Sequence, residues 1–269
     1  MNPALPEPPR GVLSPPEEAE GIDYLRIAPR AALAPFLAHF WMVRWDRRGL
    51  QPFGAETLPH PCVQLLFEAG RAQVAGVQTR LFRRRLVGQG RVFGVKFRPA
   101  CFQPFFRASV SGLKDRVVSL RSVLGPASDA WRDALREEAD ARRCVALSEA
   151  FLEERLPPLP DWTAQLRDLV ERLAREGTIH RVAQAAALGG VELRSLQRRF
   201  NAAVGVSPKW VLQRYRLHQA AERLAQPLPV EFGSLALELG YFDQSHFTRG
   251  FQAVIGRAPG QHRRRRRGA

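Results

Sequence analysis

The sequence predicts an α+β chain in two parts, an antiparallel β-rich half followed by an all-α half. Three observations carry this. In VFGVKF (92–97), Phe93, Val95 and Phe97 alternate with Val92, Gly94 and Lys96, the period of two expected of a half-buried strand. PPLP (157–160) then interrupts the chain, because proline lacks an N–H and turns its predecessor away from helix. Beyond it, apolar residues recur at helical spacing, and residues 182–208 are echoed at 233–259.

Taken in order, residues 1–20 hold six prolines and four acids and read as a flexible arm. ALAPFLAHFWMV (32–43) reads as a helix opening near Pro35. VQLLFEAG (63–70), QVAGVQ (73–78), RRLVGQGRVFGVKFRP (84–99) and VVSLRSVLG (117–125) read as short strands and turns. Residues 21–125 should therefore form a small antiparallel β barrel or sandwich-like domain with a helix or two. Phe93, Val95 and Phe97 form core, and Arg98-Pro99 a strand-end turn. Residues 126–160 hold one or two amphipathic helices and a Pro-rich linker. Asp161 should cap the helix WTAQLRDLVERLAREG, which ends at Gly177, and short helices follow to residue 262. Residues 263–269, with Arg263 to Arg267, read as a basic electrostatic tail.

The 269 residues carry 41 Lys+Arg against 26 Asp+Glu, a formal charge of +15. The length suits two domains. The charge suits a polyanionic partner, although 38 of the basic residues are Arg and only Lys96, Lys114 and Lys209 are Lys, a skew that a GC-rich genome also produces. Residues 160–269 hold 18 basic and 9 acidic residues, whereas 1–159 hold 23 and 17, so the shorter part is the more basic. No apolar run approaches the ~18–20 residues that cross a bilayer. MNPALPEPPRGVLSPPEE has no apolar signal core, so a cytoplasmic location is expected. Cys62, Cys101 and Cys144 lie far apart, which excludes a disulfide scaffold and CxxC knuckles and fits a reducing compartment. His39, His60, Cys62 and Cys101 match no metal-ligand spacing, so neither metal nor cofactor is expected. GxSxG, Walker, GxGxxG and HExxH patterns are absent from the sequence, and no enzyme is predicted. The alternative is a repair or sensor protein in which a reactive Cys62 or Cys101 of the N-terminal domain is joined to the nucleic-acid-binding module described next.

The repeat carries the function. At an offset of 51, VAQAAALGGVELRSLQRRFNAAVGVSP lies over GSLALELGYFDQSHFTRGFQAVIGRAP. Eight pairs are identical: Ala185/Ala236, Leu188/Leu239, Gly189/Gly240, Arg198/Arg249, Phe200/Phe251, Ala202/Ala253, Gly205/Gly256 and Pro208/Pro259. Each copy reads as a short helix with a small residue for close approach, a glycine turn, an acidic residue (Glu192 or Asp243) at the next helix start, and a second helix. That helix buries Leu196 and Phe200, or Phe247 and Phe251. Its other face presents Arg194, Gln197 and Arg198, or Gln244, Ser245, His246 and Arg249. This is a helix-turn-helix whose second helix offers groups able to pair with base edges. Arg199 and Arg257 read as solvated surface or phosphate contacts.

GVELRSLQRRFNAAVGVSPKWVLQRYRLHQAAERL (190–224) and LALELGYFDQSHFTRGFQAVIGRAP (235–259) resemble the DNA-binding domain of the AraC/XylS transcriptional regulators. The resemblance covers roughly 161–262. It implies an all-α domain of two helix-turn-helix units joined by a long helix at about 207–225, reading successive major grooves of double-stranded DNA in a bacterial cell. It implies DNA contacts by Arg194, Ser195, Gln197, Arg198, Gln244, Ser245, His246 and Arg249. Glu192 stands where the family usually has Ser or Thr. GRVFGVKFRPACFQPFF (90–106), LKDRVVSLRSVLG (113–125) and PHPCVQLLFE (59–68) are similar to N-terminal domains of some members, usually of unknown ligand. The further partners this implies are RNA polymerase, a small-molecule effector of unknown identity and a second copy of the chain; a membrane is not among them.

Overall fold

The computed structural model describes residues 3, 5, 10–14 and 19–267, apart from the side chains of residues 266 and 267. Its N-terminal strands are β1 (Ile22–Ile27), β2 (Leu37–Asp46), β3 (Phe53–Thr57), β4 (Gln64–Glu68), β5 (Arg71–Ala75), β6 (Phe82–Leu86), β7 (Gln89–Phe97) and β8 (Val117–Ser119). Six form a sheet in the order β1-β2-β7-β4-β5-β8, and β3 pairs with β6 in a separate ribbon; all pairings are antiparallel.

Strand β7 pairs with both β2 and β4, and Phe93, Val95 and Phe97 enter the main core as expected. The opposite face is also covered. Trp41 lies across from Gly94 and Trp45 across from Gly90. A Cβ at those glycines would come within 2.1 and 2.3 Å of the indole rings. The tryptophans thus fill the space two side chains would occupy, and β7 is buried on both faces from Val92 to Val95 rather than half-buried.

The helix expected over 32–43 is instead a turn followed by β2. Phe40, Trp41, Val43 and Trp45 favour a pleated surface, and hydrogen-bonding partners on both sides decide an apolar run that periodicity leaves ambiguous. Residues 117–125 form only the three-residue β8 before turning into a short helix, Leu120–Leu124. Helices α1 (Gln103–Phe106), α2 (Leu120–Leu124), α3 (Ser128–Glu137) and α4 (Ala141–Glu153) surround the main core. Trp131 and Phe151 stack at 5.4 Å there and pack with Leu135, Val145 and Leu152.

The C-terminal part comprises α5 (Asp161–Arg175), α6 (Val182–Leu188), α7 (Leu193–Arg199), a π-helical turn (Phe200–Val204), α8 (Pro208–Ala225), α9 (Phe232–Glu238), α10 (Gln244–Ile255) and α11 (Pro259–Arg267). Asp161 does not cap α5; Pro160 holds the cap position, and Asp161 acts from the first turn, where a negative charge meets the helix dipole. The helix ends at Arg175, short of Gly177. The 18 residues of α8, about 27 Å at 1.5 Å per residue, serve two cores. Val211, Leu212 and Tyr215 pack with α5–α7, and Leu217, Ala220, Ala221 and Leu224 with α9 and α10.

The two parts are packed together through buried side chains. Val77 and Ala100 belong to the first helical core, Leu13 and Leu58 to the second. Arg214 of α8, 2 % exposed, donates to the Thr79 carbonyl at 2.6 Å. The His60 and His218 rings stack at 4.2 Å. Residues 10–14 of the expected flexible arm are wedged at this boundary. Leu13 N–H donates to Glu56 O at 2.8 Å and Leu58 N–H to Gly11 O at 2.7 Å. Gly11 has φ +86°, and a Cβ there would lie 2.5 Å from the Leu58 carbonyl oxygen, so glycine alone fits. The rest of that expectation, for residues 1, 2, 4, 6–9 and 15–18, lies outside the described residues, as do residues 268 and 269. Arg263–Arg267, expected as a tail, are the last residues of α11; Arg263 donates to Leu228 O at 2.6 Å.

Candidate nucleic-acid interface

Each repeat folds as two short helices, α6–α7 and α9–α10. Their cores follow the sequence pattern. Leu196 is 1 % exposed, and Phe200, Phe247 and Phe251 are fully buried. The small Ala185 and Ala236, also fully buried, let the helices meet closely. The second helices end alike: Gly205 and Gly256 sit at φ +89° and +82°, and Pro208 and Pro259 open α8 and α11.

The turns differ by one residue. The left-handed glycines are Gly190 (φ +60°) and Gly240 (φ +73°), an offset of 50. Val191 N–H donates to Ala186 O and Tyr241 N–H to Ala236 O, again 50 apart. The cap positions Glu192 and Asp243 are 51 apart. The offset of 51 thus holds from the second helices onward, and the second turn contains one extra residue. The identities Ala185/Ala236, Leu188/Leu239 and Gly189/Gly240 are not structural equivalents, whereas the other five are.

In that register Arg194 corresponds to Ser245, Gln197 to Thr248 and Arg198 to Arg249. Within α7, residues 194, 197 and 198 share one face. Arg194, Gln197, Arg198, Gln244, Ser245 and Arg249 are exposed, and Ser195 is half-buried. His246 is exposed but engaged: its ring meets Tyr241 edge-on at 5.2 Å, and Nδ1 accepts a long 3.5 Å contact from Phe242 N–H. Gln244 corresponds to the flanking Leu193 rather than to a position on the presented face. Thr248, half-buried, occupies that face instead and was missed, although the offset of 51 from Gln197 points to it.

The caps differ between the helices. Asp243 Oδ1 accepts from His246 N–H at 2.6 Å, whereas Glu192 makes no capping bond. At α9, Glu231 accepts from Gly233 and Ser234 N–H. The two units also touch directly. Arg216 of α8 donates to His180 O at 2.5 Å, ahead of α6, and to Gly240 O at 3.4 Å in the second turn. Burial lowers the pKa of Arg216 from its usual value, and it lowers that of His180, with Arg216 adding to the effect. Sequence reading passed over Arg216; nothing in its local pattern marks it.

Arg257 is also not the solvated residue expected. Its side chain is 14 % exposed, and Nη2 donates to Glu56 Oε2 at 2.6 Å across the domain boundary. Arg83 and Arg265 reach the same carboxylate at 3.2 and 3.4 Å. Burial raises the Glu56 pKa, but hydrogen bonds from Arg257 and Arg83 and the charges of Arg257 and Arg265 outweigh it, leaving the carboxyl below its ordinary range.

The thiols do not have the properties of nucleophiles. Cys62, Cys101 and Cys144 are free and buried. Burial pushes Cys62 up, Cys101 to about 12 and Cys144 to about 11, opposite to what a reactive thiolate needs. Among the described residues no group of three His, Cys, Asp or Glu could hold a metal ion, and no helix is long and apolar enough to cross a membrane.

Residues 169–265 match the model of a helix-turn-helix domain family, and residues 25–119 match that of a domain of unknown function (DUF6597). The C-terminal domain is an AraC-type helix-turn-helix domain. The chain thus joins this helix-turn-helix domain to a β-rich N-terminal domain. Among curated proteins none matches the sequence. Among solved structures, the chain is similar to an AraC-type transcriptional regulator from Chromobacterium violaceum, at 24% identity over 38% of this chain and 91% of that one, TM-score 0.35. The C-terminal domain of the response regulator AraT from Geobacillus stearothermophilus matches at 25% identity over 37% and 84%, TM-score 0.33. ToxT from Vibrio cholerae matches at 10% identity over 90% and 97%, TM-score 0.39.

Proposed function

We propose that the chain is an AraC-type transcriptional regulator that reads two successive major grooves of duplex DNA with α7 and α10, under control of its N-terminal domain. One observation carries the reading: two structurally equivalent helices present Arg194, Gln197, Arg198, Ser245 and Arg249 to solvent, while one helix, α8, anchors both from behind. Arg pairs with guanine O6/N7 and Gln with adenine N6/N7, so these are base-reading groups. Ser195, Gln244 and His246 flank that face and contact phosphate or sugar. Recognition helices in successive grooves must sit about 34 Å apart, and a fixed spacing needs a rigid link. Helix α8 and the Arg216 bridge from His180 to Gly240 supply that link.

Control by an effector or partner would act through the boundary where Leu13, Leu58, Val77 and Ala100 enter the helical cores. A ligand that binds the N-terminal domain better in one domain arrangement than another shifts the population of that arrangement.

The test is genome-wide footprinting to find bound sites, followed by affinities of Arg249→Ala and Arg198→Ala. Each variant should lose about 1–3 kcal/mol on a bound site relative to random DNA. An equal loss on both would make the residue a phosphate contact, and binding without any preferred site would remove the sequence-reading role.

A further inference from the structure

The exposed stripe of α10 runs through Ser245, Arg249, Gln252 and Ala253 and ends at Gly256, seven residues and two turns below Arg249. At its foot stands a residue of the other domain. Arg83 of β6 donates to the Ile255 carbonyl at 3.1 Å, and a Cβ at Gly256 would lie 2.7 Å from Arg83 Nη2. DNA lying along that stripe therefore meets the β3–β6 ribbon.

What the ribbon presents there is positive charge. Along β6, Arg83 lies opposite Glu56 and Arg85 opposite Gly54. Strand alternation puts both on one side, while Arg84 faces the other way, paired with Glu68 and stacked on Trp45. Arg85 is exposed and has no partner among the described residues, and Gly54 leaves open space beside it. Arg83 and Arg265 each keep 57% of their side chains exposed although both reach Glu56. Three guanidinium groups on one carboxylate leave an excess of positive charge.

We propose that the β3–β6 ribbon of the N-terminal domain is a second DNA-contact surface, with Arg85, Arg83 and Arg265 holding backbone phosphates next to the groove occupied by α10. The ribbon contacts no bases: it extends the footprint and adds affinity without changing sequence preference, as phosphate contacts do. The inference rests on α10 being a DNA-reading helix.

The experiment measures binding of the full chain to a random-sequence duplex of about 40 base pairs, some four helical turns, as a function of salt. Each lost phosphate contact makes the slope of log K against log salt shallower by about 0.9. Arg85→Ala should show that change, so its disadvantage against wild type shrinks about three- to fourfold between 50 and 200 mM salt. Arg85→Lys should keep the slope. Arg143→Ala removes the same charge from α4, where the side chain is 76% exposed, and should leave the slope unchanged. An unchanged slope in Arg85→Ala, or an equal change in Arg143→Ala, overturns the proposal. Tighter binding by Arg85→Ala overturns it too, because the ribbon would then obstruct DNA. Wild type without salt-dependent binding would instead overturn the DNA-reading role of α10, and this proposal with it.

Discussion

Glu56 of the N-terminal domain and Arg257 of the DNA-binding domain form an ion pair at 2.6 Å, with side chains only 10% and 14% exposed. Arg257 also donates to His262 Nδ1 at 3.2 Å, so the pair reaches into the base of α11. A buried pair of this kind weakly favours folding, but losing one partner strands the other. Glu56→Ala should therefore destabilise the protein by about 3 kcal/mol, because Arg257 cannot reach water as Arg83 and Arg265 can. Replacing the pair together, Glu56→Leu with Arg257→Met, should recover most of that loss. Chemical denaturation of Glu56→Leu, Arg257→Met and the double variant measures it; additive losses would show that the residues do not act as a pair.

Gly240 has φ +73°, and a Cβ there would lie 2.4 Å from the His180 ring. Two separate costs follow, backbone strain of about 1 kcal/mol or more in the left-handed region and a clash between the two helix-turn-helix units. Gly240→Ala should lower the thermal midpoint and weaken binding to bipartite DNA more than to a single half-site. Adding His180→Ala relieves the clash and leaves the strain, so the double variant should recover only in part. Full recovery would mean that the backbone strain is negligible.

The helical half was the more legible in sequence because its signals are local. Leu196, Phe200, Phe247 and Phe251 declare a buried face by spacing, and Asp243 declares a helix start. The β half was less so, because pairing rather than local pattern decides it. The expected helix over 32–43 gave way to β2 from Leu37 only because β1 and β7 flank it, and β7 lost its polar face only because Trp41 and Trp45 cover its glycines. Most of what joins the domains was invisible. Arg257, Arg214 and Arg216 look like three more arginines in an arginine-rich chain until their partners, Glu56, Thr79 O and His180 O, are placed beside them. The one-residue difference between the turns was hidden for a related reason: chance identities at 185/236, 188/239 and 189/240 favoured a single offset.

His60 and His218 stack across the boundary and give the protein an acid sensitivity whose sign is fixed. Burial lowers the His218 pKa from 6.5 to about 3, helped by Arg214, Lys96 and Arg10, and lowers that of His60 well below 6.5, helped by Lys96 and His218. Neutral Cys62 and Tyr215 offer no compensating negative charge, and Glu222, which is pushed upward by burial, already faces Arg10. Both histidines are neutral when folded and bind protons once unfolded, so nothing is lost above pH 6.5. Stability falls as pH drops below that value, by about 1.4 kcal/mol per pH unit for each histidine. Urea unfolding between pH 7 and pH 5 should show such a slope, to which buried His39, lowered to about 3, also contributes, and His218→Gln should remove about 1.4 kcal/mol per pH unit of it. A slope unchanged by that substitution would assign the acid sensitivity to other groups.

The two second helices offer an internal comparison of caps. Asp243 takes the His246 N–H at 2.6 Å, while Glu192, in the equivalent position, takes none. Glutamate can reach such N–H groups, as Glu231 does at α9, but its longer side chain fixes the bond less readily, and Asp, Ser and Thr lead at this position. Glu192→Asp should therefore stabilise the first unit by about 0.5–1 kcal/mol, and Asp243→Ala should cost about 1 kcal/mol in the second. Glu192→Ser tests a separate effect, because it supplies the cap and removes a negative charge beside Arg194. Both Glu192 variants should raise the unfolding midpoint, but Glu192→Ser alone should also strengthen binding to random-sequence DNA, most at low salt. Equal DNA affinities for Asp and Ser at 192 would place that carboxylate away from the phosphates and confine its role to the helix start.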